Sequence, residues 1–159
     1  MKKFLFLLTV TLLLTSCAGA RMRTTFTSEE IQGVIFETLD EKRFTRLDED
    51  EIEFVLSIDD DLYENAFVYQ DESGKTIDEI GVFIADAEEA DLLYQKLEDY
   101  VADCQKHKKE WLEGYNPPEA EKLKAAKLFR YGSLMGYSFL NSDEQQEFTE
   151  SIHDFCSQR

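Results

Sequence analysis

Glycine is scarce in this chain, seven in 159 residues, and the few present form no phosphate cradle. Neither G-x-x-x-x-G-K nor G-x-G-x-x-G occurs, so the sequence gives nucleotide binding no support. A nucleophile elbow is missing too, because Gly132-Ser133 and Gly136-Tyr137-Ser138 lack the G-x-S-x-G form and read as hairpin residues. Proline occurs only as the pair Pro117-Pro118, and histidine only as His107 and His153. Basic residues are outnumbered two to one, 17 against 34 acids, which leaves a net charge of −17. Such a chain repels phosphate backbones, so nucleic acid is excluded as a partner. The one long apolar run, residues 4–14, is too short to span a bilayer as a permanent helix.

What that run does carry is an address. Lys2 and Lys3 precede it, and Leu14-Thr15-Ser16-Cys17 closes it in the manner of a lipoprotein cleavage and acylation site. The string resembles the bacterial lipobox, which implies a diacylglyceryl thioether on Cys17 after removal of residues 1–16. Two acyl chains meet the condition for durable anchoring, at about 0.8 kcal/mol for each buried methylene. The expected organisation is therefore a signal peptide over residues 1–16, a lipid-anchored spacer over 17–26 and a single domain over 27–159. Loss of Lys2 and Lys3 makes the mature chain more acidic still. Its membrane contact is expected to run through the lipid alone, on the extracytoplasmic side.

Thr27-Ser28-Glu29-Glu30 has the form of a capping box and predicts a first helix, with Ile31, Val34, Ile35 and Leu39 on its apolar edge. A short second helix is expected over residues 48–56. Residues 65–70 and 80–85 have strand composition and flank the breaker Asp71-Glu72-Ser73-Gly74-Lys75, which is a hairpin signal. Residues 87–113 read as one long helix, with Leu93, Leu97, Tyr100, Val101, Cys104 and Trp111 along one face. Gly114-Tyr115-Asn116-Pro117-Pro118 ends it. A second hairpin joins residues 127–131 to 134–140 through Gly132-Ser133, a pair suited to a type II′ turn. A last helix over residues 142–156 buries Phe148, Ile152 and Phe155. The fold class is α+β, an antiparallel four-stranded sheet from two β-hairpins, each followed by a helix, with one or two N-terminal helices. Alternation groups Phe67, Tyr69, Phe83, Tyr137 and Phe139 as aromatic sets and Val68, Ile80, Val82 and Ile84 as opposite, aliphatic ones.

Asp78-Glu79-Ile80-Gly81-Val82-Phe83 before a long helix, Tyr115-Asn116-Pro117 after it and the later Tyr131-Gly132 hairpin carry a family likeness. The chain resembles the small Gram-positive, largely clostridial, lipoproteins grouped as domain of unknown function 4358. The likeness runs over residues 31–155 and implies a single-domain, surface-anchored protein, with no catalytic residues to transfer.

Several side chains remain as candidates for chemistry. With Cys17 acylated, Cys104 and Cys156 form an even pair that raises a disulfide, although both positions equally suit buried thiols. Acidic neighbours such as Asp103 and Asp154 disfavour a reactive thiolate. Cys104 with His107 and His153 with Cys156 each share a helix face, yet nothing brings the two faces together as a zinc site. Asp48-Glu49-Asp50-Glu51 and Asp59-Asp60-Asp61 offer oxygen ligands but lack the turn glycine and the closing glutamate of a calcium loop. No metal or cofactor is assigned. The candidate binding surface is aromatic: Phe67, Tyr69, Phe83, Tyr137 and Phe139 on the sheet, and Trp111 with Tyr115 at the helix end. These features point to a membrane-anchored, non-catalytic binding or accessory module whose partner is an envelope protein or polymer. An envelope enzyme using carboxylates is the first alternative, discriminated by a convergent acidic pocket, and a divalent-cation sensor is the second.

Overall fold

The computed structural model describes residues 21–158, so the expected signal segment and Cys17 lie outside the described residues. Among the described residues six helices surround an antiparallel sheet, an α+β architecture. Thr27 caps helix α1, Ser28–Ile35, through the expected box with Glu30, and Asp48 caps α2, Glu49–Leu56, through a matching box with Glu51. The first hairpin is β3, Tyr63–Asp71, paired with β4, Glu79–Ala85. Its loop is organised by Asp71 Oδ2, which accepts from Ser73 Oγ at 2.6 Å and from the N–H groups of Lys75 and Thr76 at 3.1 Å each. The second hairpin joins β5, Lys127–Tyr131, to β6, Leu134–Phe139. At its turn Gly132 has φ +66° while Ser133 does not enter positive φ, the signature of a type II′ turn. Helix α6, Ser142–Cys156, follows under an Asn141 cap.

The sheet has five strands rather than the four expected, in the order β2-β3-β4-β6-β5. The added strand β2, Phe44–Arg46, pairs with the outer side of β3 after a 3₁₀ turn, Glu41–Arg43. Three residues reading Phe-Thr-Arg show no measurable alternation, and pairing with a neighbour is what makes them a strand. Residues 21–23, within the expected spacer, are tied to the end of the last helix and the residues after it. Strand β1, Arg21–Met22, pairs with β7, Ser157–Gln158, and the Arg23 N–H bonds the Cys156 carbonyl at 2.9 Å. The expected long helix is divided at Lys108 into α3, Ala90–His107, and α4, Lys109–Tyr115, which leads into α5, Pro117–Lys124. Pro117 opens α5, where its missing N–H costs nothing. Across the break at Lys108 the phase of the apolar stripe shifts, so Leu112 is buried and Trp111 faces out.

Helices lie on both faces, and each face has its own core. On one side α2, α3, α4 and α5 pack on Val68, Phe83, Met135, Tyr137 and Phe139. On the other, α1 and α6 pack on Phe67, Tyr69, Ile80, Val82, Ile84 and Phe129. The aromatic sets are thereby divided. Register decides this, because Phe67 stands opposite Val82 and Tyr69 opposite Ile80, and directly paired residues project to the same face. Each fully buried large side chain, Phe67, Phe83 and Phe148 among them, contributes about 1.5–3 kcal/mol. Among the described residues no helix is long and apolar enough to cross a membrane.

Candidate functional site

The chain concentrates its buried charge at one end of the sheet. Asp78, Glu79 and Glu119 are only 3 %, 6 % and 7 % exposed, burial that carboxylates tolerate only with partners. Glu79 opens β4 and projects to the α3 face. Its Oε1 accepts from Tyr137 Oη at 2.5 Å and Tyr100 Oη at 2.7 Å, and its Oε2 from Gln70 Nε2 at 2.8 Å. Burial, and then the neighbouring Glu79, push both phenols above the ordinary tyrosine range and keep them protonated donors.

Gly81 makes this arrangement fit. It stands opposite Tyr137 on β6, and a Cβ at that position would meet the ring, with Cζ at 2.8 Å. The ring therefore lies across the bare backbone of β4 and delivers its hydroxyl to Glu79, two residues along the same face. Gly136, opposite Val82, is required for a similar reason. A Cβ there would run into the Gly81 carbonyl oxygen and stand 2.7 Å from Phe129 Cζ.

Asp78 forms the second half of the site. Its Oδ2 accepts from Arg43 Nη2 and its Oδ1 from Lys122 Nζ, both at 2.5 Å. Arg43 also pairs with Glu144 of α6, and Lys122 with Glu119 one turn away on α5 at 3.0 Å. Glu119 Oε2 in turn receives the Ile77 N–H at 2.8 Å. Burial works against the Lys122 ammonium, but Asp78 and Glu119 overcome it and hold its pKa above the ordinary lysine value. A cleft of about 210 Å³ opens beside these groups, lined in part by Gln70, Asp78, Glu79, Lys108 and Phe139. A convergent acidic cluster thus exists, but its oxygens are already engaged with internal donors. That arrangement rigidifies the junction of β4, α5 and α6.

Of the predicted aromatic set, Tyr137 belongs to this cluster and Phe139 lines its cleft, whereas Phe67, Tyr69 and Phe83 lie away from it; all five are buried in the two cores. Cys104 lies in the core on the α3 face and Cys156 in the core on the α6 face, and both are free thiols. With the sheet between them they cannot approach the 4.4–6.8 Å Cα separation of a disulfide, so the bridge is ruled out in this fold. The same separation removes the Cys-His zinc reading. Burial raises both thiol pKa values, that of Cys156 to about 11. Asp48 and Glu51 serve the α2 cap. Among the described residues no three His, Cys, Asp or Glu side chains are grouped to hold a metal.

Trp111 and Tyr115 do remain on the surface, 64 % and 77 % exposed. They sit one turn apart on α4 and stack on each other, with ring centroids 5.2 Å apart and planes 19° from parallel. Sequence reading missed the partners of Asp78 and Glu79, namely Arg43, Lys122, Tyr100 and Gln70, and Glu119 that holds Lys122. The available signal was the Glu119–Lys122 spacing on α5, which places the two side chains on one helix face.

The family model described as Domain of unknown function (DUF4358) matches residues 37–140. That span holds β2 to β6, the Asp78–Glu79 cluster and α4. No curated protein and no solved structure matches the chain.

Proposed function

From the premise that the chain belongs to the domain of unknown function DUF4358 family, we propose that it is a membrane-anchored extracytoplasmic lipoprotein acting as a non-catalytic binding or accessory module at the cell envelope. The reading is supported by the lipobox-like Leu14-Thr15-Ser16-Cys17 and by the contrast between the two candidate sites. That contrast is the observation that carries it. The acidic cluster is closed by its own donors, whereas the aromatic pair on α4 is open to solvent. Large exposed aromatic side chains with no core function are the common currency of recognition surfaces. Catalysis by Asp78 or Glu79 would first require breaking charge-assisted pairs and buried phenol hydrogen bonds.

The test is crosslinking in cells followed by mass spectrometry of what is captured, with Cys17→Ala as the control. A recurrent partner that disappears in the control supports the reading. Unchanged lipid labelling of Cys17→Ala would remove the anchor from it, and hydrolytic activity lost in Glu79→Gln would replace it with an enzymatic one.

A further inference from the structure

We infer that the stacked Trp111–Tyr115 pair is a docking platform for the flat face of an equatorial, β-linked pyranose chain, presented at the end of the domain remote from the membrane. This rests on the anchored binding-module reading above and specifies its ligand.

The first argument is area. At 64 % and 77 % exposure the two residues offer roughly 300 Å² together, and because the rings stack face to face a single ligand lies on one outer face, a fraction of that area. A stable protein interface needs about 800 Å² from each partner, so the platform is too small for a folded protein and matches a sugar ring or a short segment. The second is shape. Rings 5.2 Å apart and nearly parallel leave no slot between them, whereas polyproline recognition requires an aromatic-lined groove. A closed stack presents flat outer faces, which suit the C–H face of a pyranose. The third is charge. Lys109 and Lys124 both pair with Glu113, and Lys124 also with Glu121, so the charges next to the platform largely cancel in a chain of net charge −17. A neutral saccharide is favoured there over a polyanion.

Placement supplies the fourth argument. Helix α4 packs with α5, which reaches Asp78 through Lys122, so the platform sits at the Asp78 end of the sheet on the α3 face. Strand β1 is held at the opposite end and on the opposite face. Arg23 bonds Cys156 at the close of α6, where His153 meets Tyr131 beside the β5–β6 turn. The stretch between Cys17 and Arg21 spans at most about 14 Å, too little to bring the bilayer around to α4.

Trp111 is the only tryptophan in the chain, so intrinsic fluorescence reads the platform directly. The lipidated protein in phosphatidylcholine vesicles would be titrated with β-1,4-linked pentasaccharides of glucose and of N-acetylglucosamine, and with a ten-residue polyproline peptide. The expected result is a saturable change with at least one pentasaccharide, weakened tenfold or more in Tyr115→Ala. Tyr115 is exposed, so this variant keeps the fold. No change with either sugar up to about 10 mM, beyond the weak end of useful recognition, overturns the inference. A response to polyproline alone overturns it in favour of a peptide. Quenching of Trp111 by brominated lipid overturns the membrane-remote placement. If the sugars fail while crosslinking still captures a partner that depends on Cys17, the ligand class falls and the binding-module reading stands.

Discussion

A carboxylate that is 6 % exposed and bonded by two phenols and an amide is worth more than its individual contacts. Glu79→Ala orphans two phenols in the core and the half-buried Gln70 amide and is expected to cost about 3–5 kcal/mol, against about 1–2 kcal/mol for Tyr137→Phe, which removes one donor and keeps the ring. Urea unfolding of the two variants checks the ratio. The phenols also give a pH test. Their folded pKa values lie above the unfolded value of about 10, so the stabilisation is complete below that pH and is lost progressively as pH rises from there through the folded values. Absorbance at the phenolate band should show two tyrosines that ionise only when the protein unfolds. Cys104 and Cys156 make a complementary prediction: with both thiol pKa values raised by burial, alkylation at pH 8 is slow in the folded protein and fast in denaturant. Mass spectrometry of the unreduced protein should then find no bond between them. From the sequence these two cysteines leave both bridge and buried thiol open, because the decision depends on which face of the sheet each helix covers.

Within the elements, local signals were read well and registers were not. The α1 capping box, the short second helix, the type II′ turn and the last helix follow from residues close together in the chain, and all appear in the structure. The split of the aromatic sets and the exposure of Trp111 depend instead on strand pairing and on the break at Lys108, which no local pattern announces. The Asp78-Glu79-Ile80-Gly81 string illustrates both sides. Its residues stood out in the sequence, but their purpose appears only when Tyr137 is seen lying over Gly81. This orders the glycine variants. Gly136→Ala drives a methyl group into the backbone of β4 and should destabilise by about 3 kcal/mol or more, while Gly81→Ala displaces a side chain and should cost less and loosen the Tyr137 bond. Thermal melts establish the order. The α1 box carries an acid-side prediction. Arg23 first, then the Thr27 backbone, hold Glu30 at about 2, below its unfolded value, so its contribution is present at neutral pH and is lost as pH falls toward 2. The melting-temperature gap between the protein and Glu30→Gln should close over that range.

At the scale of the molecule, two hydrophobic cores back onto one sheet, and little besides the sheet separates them. Left to themselves, such cores could loosen one at a time. The rim of charge at the Asp78 end prevents this, because Glu144 belongs to the α6 layer, Lys122 to the α5 layer, and Arg43 and Asp78 close the line between them. Arg43→Ala keeps Lys122 on Asp78 but opens the link to α6, at an expected cost of about 2 kcal/mol. Calorimetry offers the sharper readout, since the native protein should melt with equal van't Hoff and calorimetric enthalpies and the Arg43→Ala protein with a ratio below one. The rim thus acts as a cooperativity device. Joining the layers across the edge of the sheet turns two half-stable sandwiches into one folding unit, so that damage to either face is felt at once by the other.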